Sequence, residues 1–155
     1  KQSNEFMKKV FVSGGFGLLH PGHIKFFKDA RAHGDWLIVC FASDEEMMKF
    51  KGRLPALPES HRRKMLEALR DVDEVVMGGI SDKDPNNPVF DFAGEFKRLK
   101  PDLLISTTDD PLAEQKLYFA KANGANYLQI PKDVFPELEP ISTTDIRKNI
   151  ARDCH

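Results

Sequence analysis

The chain has 155 residues, 41% of them hydrophobic and 30% charged, with a formal net charge of −1. That length fits one domain with a core of ordinary size. The near-neutral balance argues against a general binder of nucleic acid or membrane surfaces, and no apolar run approaches the ~20 residues that span a bilayer.

Residues 1–6, KQSNEF, precede Met7 and are expected to be a cloning remnant, with the domain running from 7 to 155. A piece cut from a longer fusion is the alternative. KVFVS (9–13) reads as a short strand. PGHIKFFKDARAHG (21–34) has Ile24, Phe27 and Ala30 or Arg31 at helical spacing, with Pro21 placed for a first turn and Gly34 for a stop. WLIVCFAS (36–43) is a continuous apolar run, which predicts a strand covered on both faces. Polar residues 44–57 read as a loop. A helix is expected over 58–72, with Met65, Leu66 and Leu69 on one side, and a strand over 73–79.

The turn-rich stretch 81–88 precedes a predicted helix over 89–100 and a strand over 102–106. A helix over 111–124 ends at Gly124, a strand over 125–131 stops at proline, and 133–140 is a loop. Three candidate caps open a last helix over 142–152. The alternation predicts an α/β, Rossmann-like single domain: a five-stranded parallel sheet with helices on both faces. Ligands of such sheets bind beyond the carboxyl ends of the strands, which directs attention to the first loop. The two cysteines, Cys40 and Cys154, match no zinc spacing and are expected free in a reducing cytosol.

The first loop is GGFGLLHPGH (14–23). A dinucleotide fingerprint fits poorly, because His20 stands where the third glycine belongs. A metal site lacks further ligands near His20 and His23, and no metal ligand is assigned. Phosphate chemistry fits better. Pro21 and Gly22 turn the backbone into a helix whose N-terminus offers N–H groups to an anion, and two imidazoles can donate to a triphosphate there.

GGFGLLHPGHIKFF resembles the H-x-G-H signature of the nucleotidyltransferase superfamily, especially its cytidylyltransferase-like members. ISTTDIR (141–147) resembles the family's second signature, and RRKMLEALRDVDEVV (62–76) and KPDLLISTTDD (100–110) resemble the segments between. The resemblance covers Met7 to Arg152. It implies that His20 and His23 hold the triphosphate and stabilise the transition state, with Lys51 closing over the phosphates and Arg70 as a fourth catalytic group. Nucleotide contacts are then expected from Gly14, Gly15, Phe16, Gly22, Lys49, Arg62, Asp109, Asp110, Ile141, Ser142, Thr143, Thr144 and Arg147. Plainer readings stand beside several of these. Ser142 to Thr144 cap a helix, Lys49 is a solvated charge, Arg62 and Arg70 are helix-face charges, and Asp109 and Asp110 are loop charges. Asp73 is expected to hold a strand start.

The chain departs from the family at Gly15 and Gly17, where relatives place threonine and aspartate, and PELEP (136–140) is acidic where cytidylyltransferases often carry arginine. Either the glycines make room for a bulkier acceptor, or the site binds nucleotide without efficient turnover. The expected activity is transfer of CMP from CTP to a phosphorylated or phosphonate alcohol or sugar, releasing pyrophosphate. Mg²⁺ is expected with the triphosphate, held mostly by phosphates and water. The alternatives are an adenylyltransferase acting on a sugar phosphate or cofactor precursor, a catalytically silent nucleotide-binding module and, more distantly, a dinucleotide-binding oxidoreductase. Residues 79–92 are expected to help define the acceptor pocket, and a homodimer is implied by resemblance alone.

Overall fold

The computed structural model describes residues 6–86 and 88–154; apart from Phe6, the expected cloning remnant lies outside them. Five strands, β1 (Lys9–Gly14), β2 (Trp36–Phe41), β3 (Glu74–Met77), β4 (Leu103–Thr107) and β5 (Asn126–Ile130), form one sheet in the order β3-β2-β1-β4-β5. Every pairing is parallel, with Lys9 opposite Trp36 and Val10 opposite Leu103. The helices are α1 (Pro21–Arg31), α2 (Asp44–Lys51), α3 (Glu59–Glu67), α4 (Ala93–Leu99), α5 (Ala113–Ala122) and α6 (Thr143–Asp153). None of the described helices is long and apolar enough to cross a membrane.

Side chains alternate across each strand, so one sheet builds two cores. Val10, Val12, Leu37, Val39 and Phe41 face Phe27 and Ala30 of α1 and Leu66 of α3. Phe11, Ile38, Cys40 and Leu104 face Phe92, Phe96 of α4 and Ala120 of α5. Every residue of WLIVCF is buried, as a strand covered on both sides requires. Cys40 is buried and Cys154 exposed, and both are free.

Three boundaries differ from the sequence reading. The expected loop at 44–57 begins with a helix, α2. The Ser43 hydroxyl caps it by accepting from the Glu46 N–H at 3.1 Å, and Gly52 ends it at φ 68°. α3 stops at Glu67 and the chain turns before β3, and Met65, expected on the inner side, is exposed while Leu66 and Arg62 face inward. α4 starts at Ala93 because Val89 is engaged in an antiparallel bridge with Asp82 and the Asp91 carbonyl accepts from Gly79 N–H.

The sheet reverses its winding between β1 and β4. A crevice therefore opens beyond their carboxyl ends, where the chain leaves toward opposite faces. The Phe11 ring, fully buried, packs against Phe92 at 5.8 Å and Phe96 at 5.1 Å between centroids, at the centre of one core. Phe11→Ala should destabilise the fold by about 3–5 kcal/mol, read from the shift in urea midpoint at constant slope.

Candidate functional site

Two cavities open along that crevice. The first, about 780 Å³, is lined by Ser13 and Phe16 from the β1 side, both loop histidines, Thr107 to Pro111 after β4, and the start of α6. The second, about 700 Å³, is lined by Gly14 and Gly15, one face of α2, residues 81–85 and 88–92, and the start of α5. Ser13, Pro111 and Lys116 line both.

The histidines explain each other. His20 is the N-cap of α1, and its Nδ1 accepts from Gly22 N–H at 3.1 Å. His23 stands three residues on, and its Nδ1 accepts from His20 N–H at 3.2 Å. The pair is thus a capping box built from imidazoles. A Cβ on Gly22 would lie 2.9 Å from the His20 ring, so the glycine between the histidines is required by that ring's position. With both Nδ1 atoms accepting, each neutral ring carries its proton on Nε2, the atom left free to donate to a ligand. The rings lie 3.8 Å apart. Burial, then neighbouring positive charge, holds both below the usual histidine range, His23 at about 4 and assisted by His20 and Lys132. Phe16, at φ 50°, braces His23 edge-on at 5.4 Å between centroids.

Opposite them, Ser142 caps α6. Its hydroxyl donates to Asp145 Oδ2 at 2.9 Å and accepts from Asp145 N–H at 3.1 Å, so the cap consumes it. The first-turn N–H groups of Thr143 and Thr144 receive no helix partner, and both residues line the first cavity with Ile141. The open first-turn amides of α6 and two imidazole donors therefore converge on one space, an arrangement suited to a polyanion, whereas the α1 amides expected to serve an anion are spent on His20, and Pro21 has none.

Other expected residues are placed differently. Arg62 is 1% exposed, and its donors go to the protein: to the carbonyls of Leu57, Gly15 and Ala42 at 3.0, 2.9 and 2.5 Å, and to Asp44 at 2.7 Å. It belongs to the scaffold behind the glycine loop rather than to a nucleotide contact. Arg70 is exposed in the turn before β3, at the amino end of the sheet, and lines neither cavity. Its position in this chain corrects the expected catalytic role: α3 carries it away from the strands' carboxyl ends. Arg147 lies one turn into α6 and lines neither cavity. Lys51 lines the second cavity from the end of α2, while Lys49 donates to the Ser81 carbonyl. Asp110 is paired with Lys116 at 2.6 Å; Asp109 accepts from the Thr107 hydroxyl at 2.5 Å and stays exposed. Asp73 holds Arg31 and the Leu37 N–H, the structural role expected of it.

Gly15 and Gly17 both lie under the flexible end of the Met47 side chain. A Cβ on Gly15 would lie 2.9 Å from Met47 Sδ, and one on Gly17 would lie 3.4 Å from Met47 Cε. Met47 of α2 thus lies over both glycines, and Gly15 also lines the second cavity. The sequence reading missed Lys116, which lines both cavities, and Lys132, which lines the first and lies 3.6 Å from Asp109. Lys132 follows β5 by two residues, which was the available signal, whereas Lys116 lies inside α5 and carried none.

A family model described as cytidylyltransferase-like matches residues 11–149. The chain is 36% identical over 111 residues to an FAD synthase of Ferroglobus placidus, covering 72% of this chain and 66% of the relative, so it spans just under two thirds of that protein's length. A lipopolysaccharide core biosynthesis protein from Thermoplasma volcanium shares the fold, at a TM-score of 0.65 and 24% identity, over 83% of this chain and 98% of that one.

Arg62→Ala would strand two strand-end carbonyls and Asp44. It should cost about 3–5 kcal/mol, measured by chemical denaturation. The histidines generate a pH dependence. Their folded pKa values lie below the unfolded 6.5, so the unfolded chain binds more protons and stability falls as pH drops from about 6.5 toward 4. Asp91, raised to about 6 by burial and by Glu46, acts in the opposite sense over an overlapping window. His23→Gln keeps an N3 capping carbonyl without the titration. It should therefore flatten the acid limb of the Tm-against-pH curve relative to the parent chain.

Proposed function

The chain belongs to the cytidylyltransferase-like family, and from that premise we propose that it transfers a nucleoside monophosphate from an NTP to a phosphorylated acceptor, releasing pyrophosphate. The observation that carries the reading is the pair of imidazoles whose Nδ1 atoms are consumed by the α1 cap, on the same cavity as the free amides of α6. Neutral Nε2–H donors offer hydrogen bonds without a proton to lose. They suit a step whose difficulty is charge build-up on phosphoryl oxygens.

An acceptor phosphate oxygen bonds to the α-phosphorus as the bond to the bridging oxygen breaks. Pyrophosphate leaves with that electron pair. A phosphate monoester is already largely dianionic at pH 7, so the attacking group needs no general base. The protein's contribution is alignment and charge stabilisation. His20 and His23 donate to the triphosphate, the amides of Thr143 and Thr144 hold its far end, and Lys116 and Lys132 offset its charge.

Mg²⁺ fits this donor set as an ion that arrives with the triphosphate and neutralises its oxygens. Among the described residues no three histidine, cysteine or carboxylate side chains gather to cage a metal, while Asp109 and Asp133 line the first cavity and could complete a water shell.

The sequence resemblance favours CTP. A second reading, adenylyl transfer to a cofactor precursor, is favoured by the FAD synthase relative. A carboxylate such as Asp109 can accept from the exocyclic amine of either base, and pyrophosphate release with each of the four NTPs separates the two. His20→Ala and His23→Ala should each lower turnover about 10²–10³-fold with circular dichroism unchanged. Undiminished pyrophosphate release by the folded His23→Ala variant would overturn the assignment.

A further inference from the structure

We propose that Lys116 is the group that meets the α-phosphate of the bound nucleotide, and that Tyr127, acting through Ser106 and Asp110, is the residue that positions it; this rests on reading the chain as a nucleotidyltransferase. In that reading the α-phosphorus is the atom a second molecule attacks. It therefore lies where the nucleotide's space is open to a neighbour. The two cavities have three lining residues in common, Ser13, Pro111 and Lys116, and Lys116 alone of these is charged.

The sheet builds the support for that lysine on one face. Leu104 of β4 stands opposite Tyr127 of β5, and both belong to the core that α5 covers. Two residues on, toward the carboxyl end, the same face of β4 presents the buried Ser106. The Tyr127 hydroxyl reaches along the face and is hydrogen-bonded to the Ser106 hydroxyl. Ser106 is hydrogen-bonded in turn to Asp110, which pairs with Lys116 at 2.6 Å. On α5, Lys116 stands one turn before Ala120, which is fully buried, so its stem runs inward and its Nζ lies 5.8 Å from the Phe92 ring centroid.

Chemistry orders the protons along this chain. A carboxylate only accepts, so Ser106 donates to Asp110, and Tyr127 then donates to Ser106. Asp110 also accepts from the Leu112 N–H at 2.9 Å. Donors from a strand, a loop and a helix thus fix the carboxylate, and the carboxylate fixes the ammonium. Lys116 spends one N–H on Asp110 and has no other hydrogen-bond partner among the described residues, which leaves two donors for an occupant of the cavities. An ion pair kept for stability alone gains little when buried, because desolvating both charges offsets their attraction. Lys116 and Asp110 have side chains only 15% and 9% exposed, yet they form part of a cavity wall, which suits a cation held ready for a further anionic group.

The test compares the whole chain with three variants: Lys116→Met, Tyr127→Phe and the two together. Calorimetry with CTP, ATP, GTP and UTP gives affinities, and phosphorus NMR at saturation with the tightest of them resolves its three phosphates. Lys116→Met should weaken that nucleotide about 10–100-fold and move the α-phosphate resonance, leaving the other two in place. Tyr127→Phe should move the same resonance and weaken binding about 2–5-fold. The double variant should bind within about twofold of Lys116→Met alone, because Tyr127 then has nothing left to position. A merely structural tyrosine would not produce that non-additivity. An α-phosphate resonance unmoved by Lys116→Met, or movement of the other two in its place, would overturn the inference and leave the nucleotidyltransferase reading standing. Additive losses in the double variant would overturn the role given to Tyr127. If Lys116→Met does not fold, Tyr127→Phe decides alone, by whether the α-phosphate resonance moves. Failure of the parent chain to bind any of the four nucleotides would overturn both.

Discussion

A single buried guanidinium holds the carboxyl edge of this sheet together. Arg62 reaches from α3 to the carbonyls that follow β1 and β2, to the loop before its own helix, and to Asp44 in the first turn of α2. Those carbonyls lie where the strands have ended and the ladder no longer supplies donors. Without a cation there, the Gly15 and Ala42 carbonyls would lose this partner, which is costly above all for the buried Ala42 oxygen. The planar fork suits this task in a way a lysine ammonium does not, because several donors diverge from one rigid plane. The glycine loop, α2 and α3 are therefore pinned to one another. The positions of Met47 over Gly15, and of Lys51 at the second cavity, follow from it.

The histidine loop joins structure and chemistry in the same atoms. Capping α1 consumes one nitrogen of each ring, and that consumption fixes the tautomer of the other. The choice between histidines that cap and histidines that bind anions was thus never exclusive. The same holds at α6, with a different division of labour. There the Ser142 hydroxyl is used up by Asp145, so the groups left open to a ligand are the backbone amides of the next two residues.

The sheet was legible in the sequence because its strands are covered on both faces, and runs such as WLIVCF have no other plausible home. The first loop was legible for the opposite reason, since glycine, proline and histidine in that density have few structural excuses. α2 was not read, although Ser43 and Gly52 bracket it, because eight residues with two inward side chains give little periodicity. Arg62 and Arg70 lie eight positions apart in one motif-like segment and were read alike. Only the path of α3 reveals that one is buried behind the loop and the other is carried to the far end of the sheet. Lys116 and Lys132 were passed over because a lysine in a helix or loop has no distinguishing neighbours in sequence. Their significance comes from strands that end beside them.

The two cavities share only Ser13, Pro111 and Lys116, and each has its own lining otherwise. On the proposed reading two substrates are joined into one product, and a product whose halves reached into the two spaces would be held at both. Such a product is a bivalent ligand. When one half lets go, the other keeps it at high effective concentration near the vacated space. A product that spans the three shared residues would thereby be held from both sides.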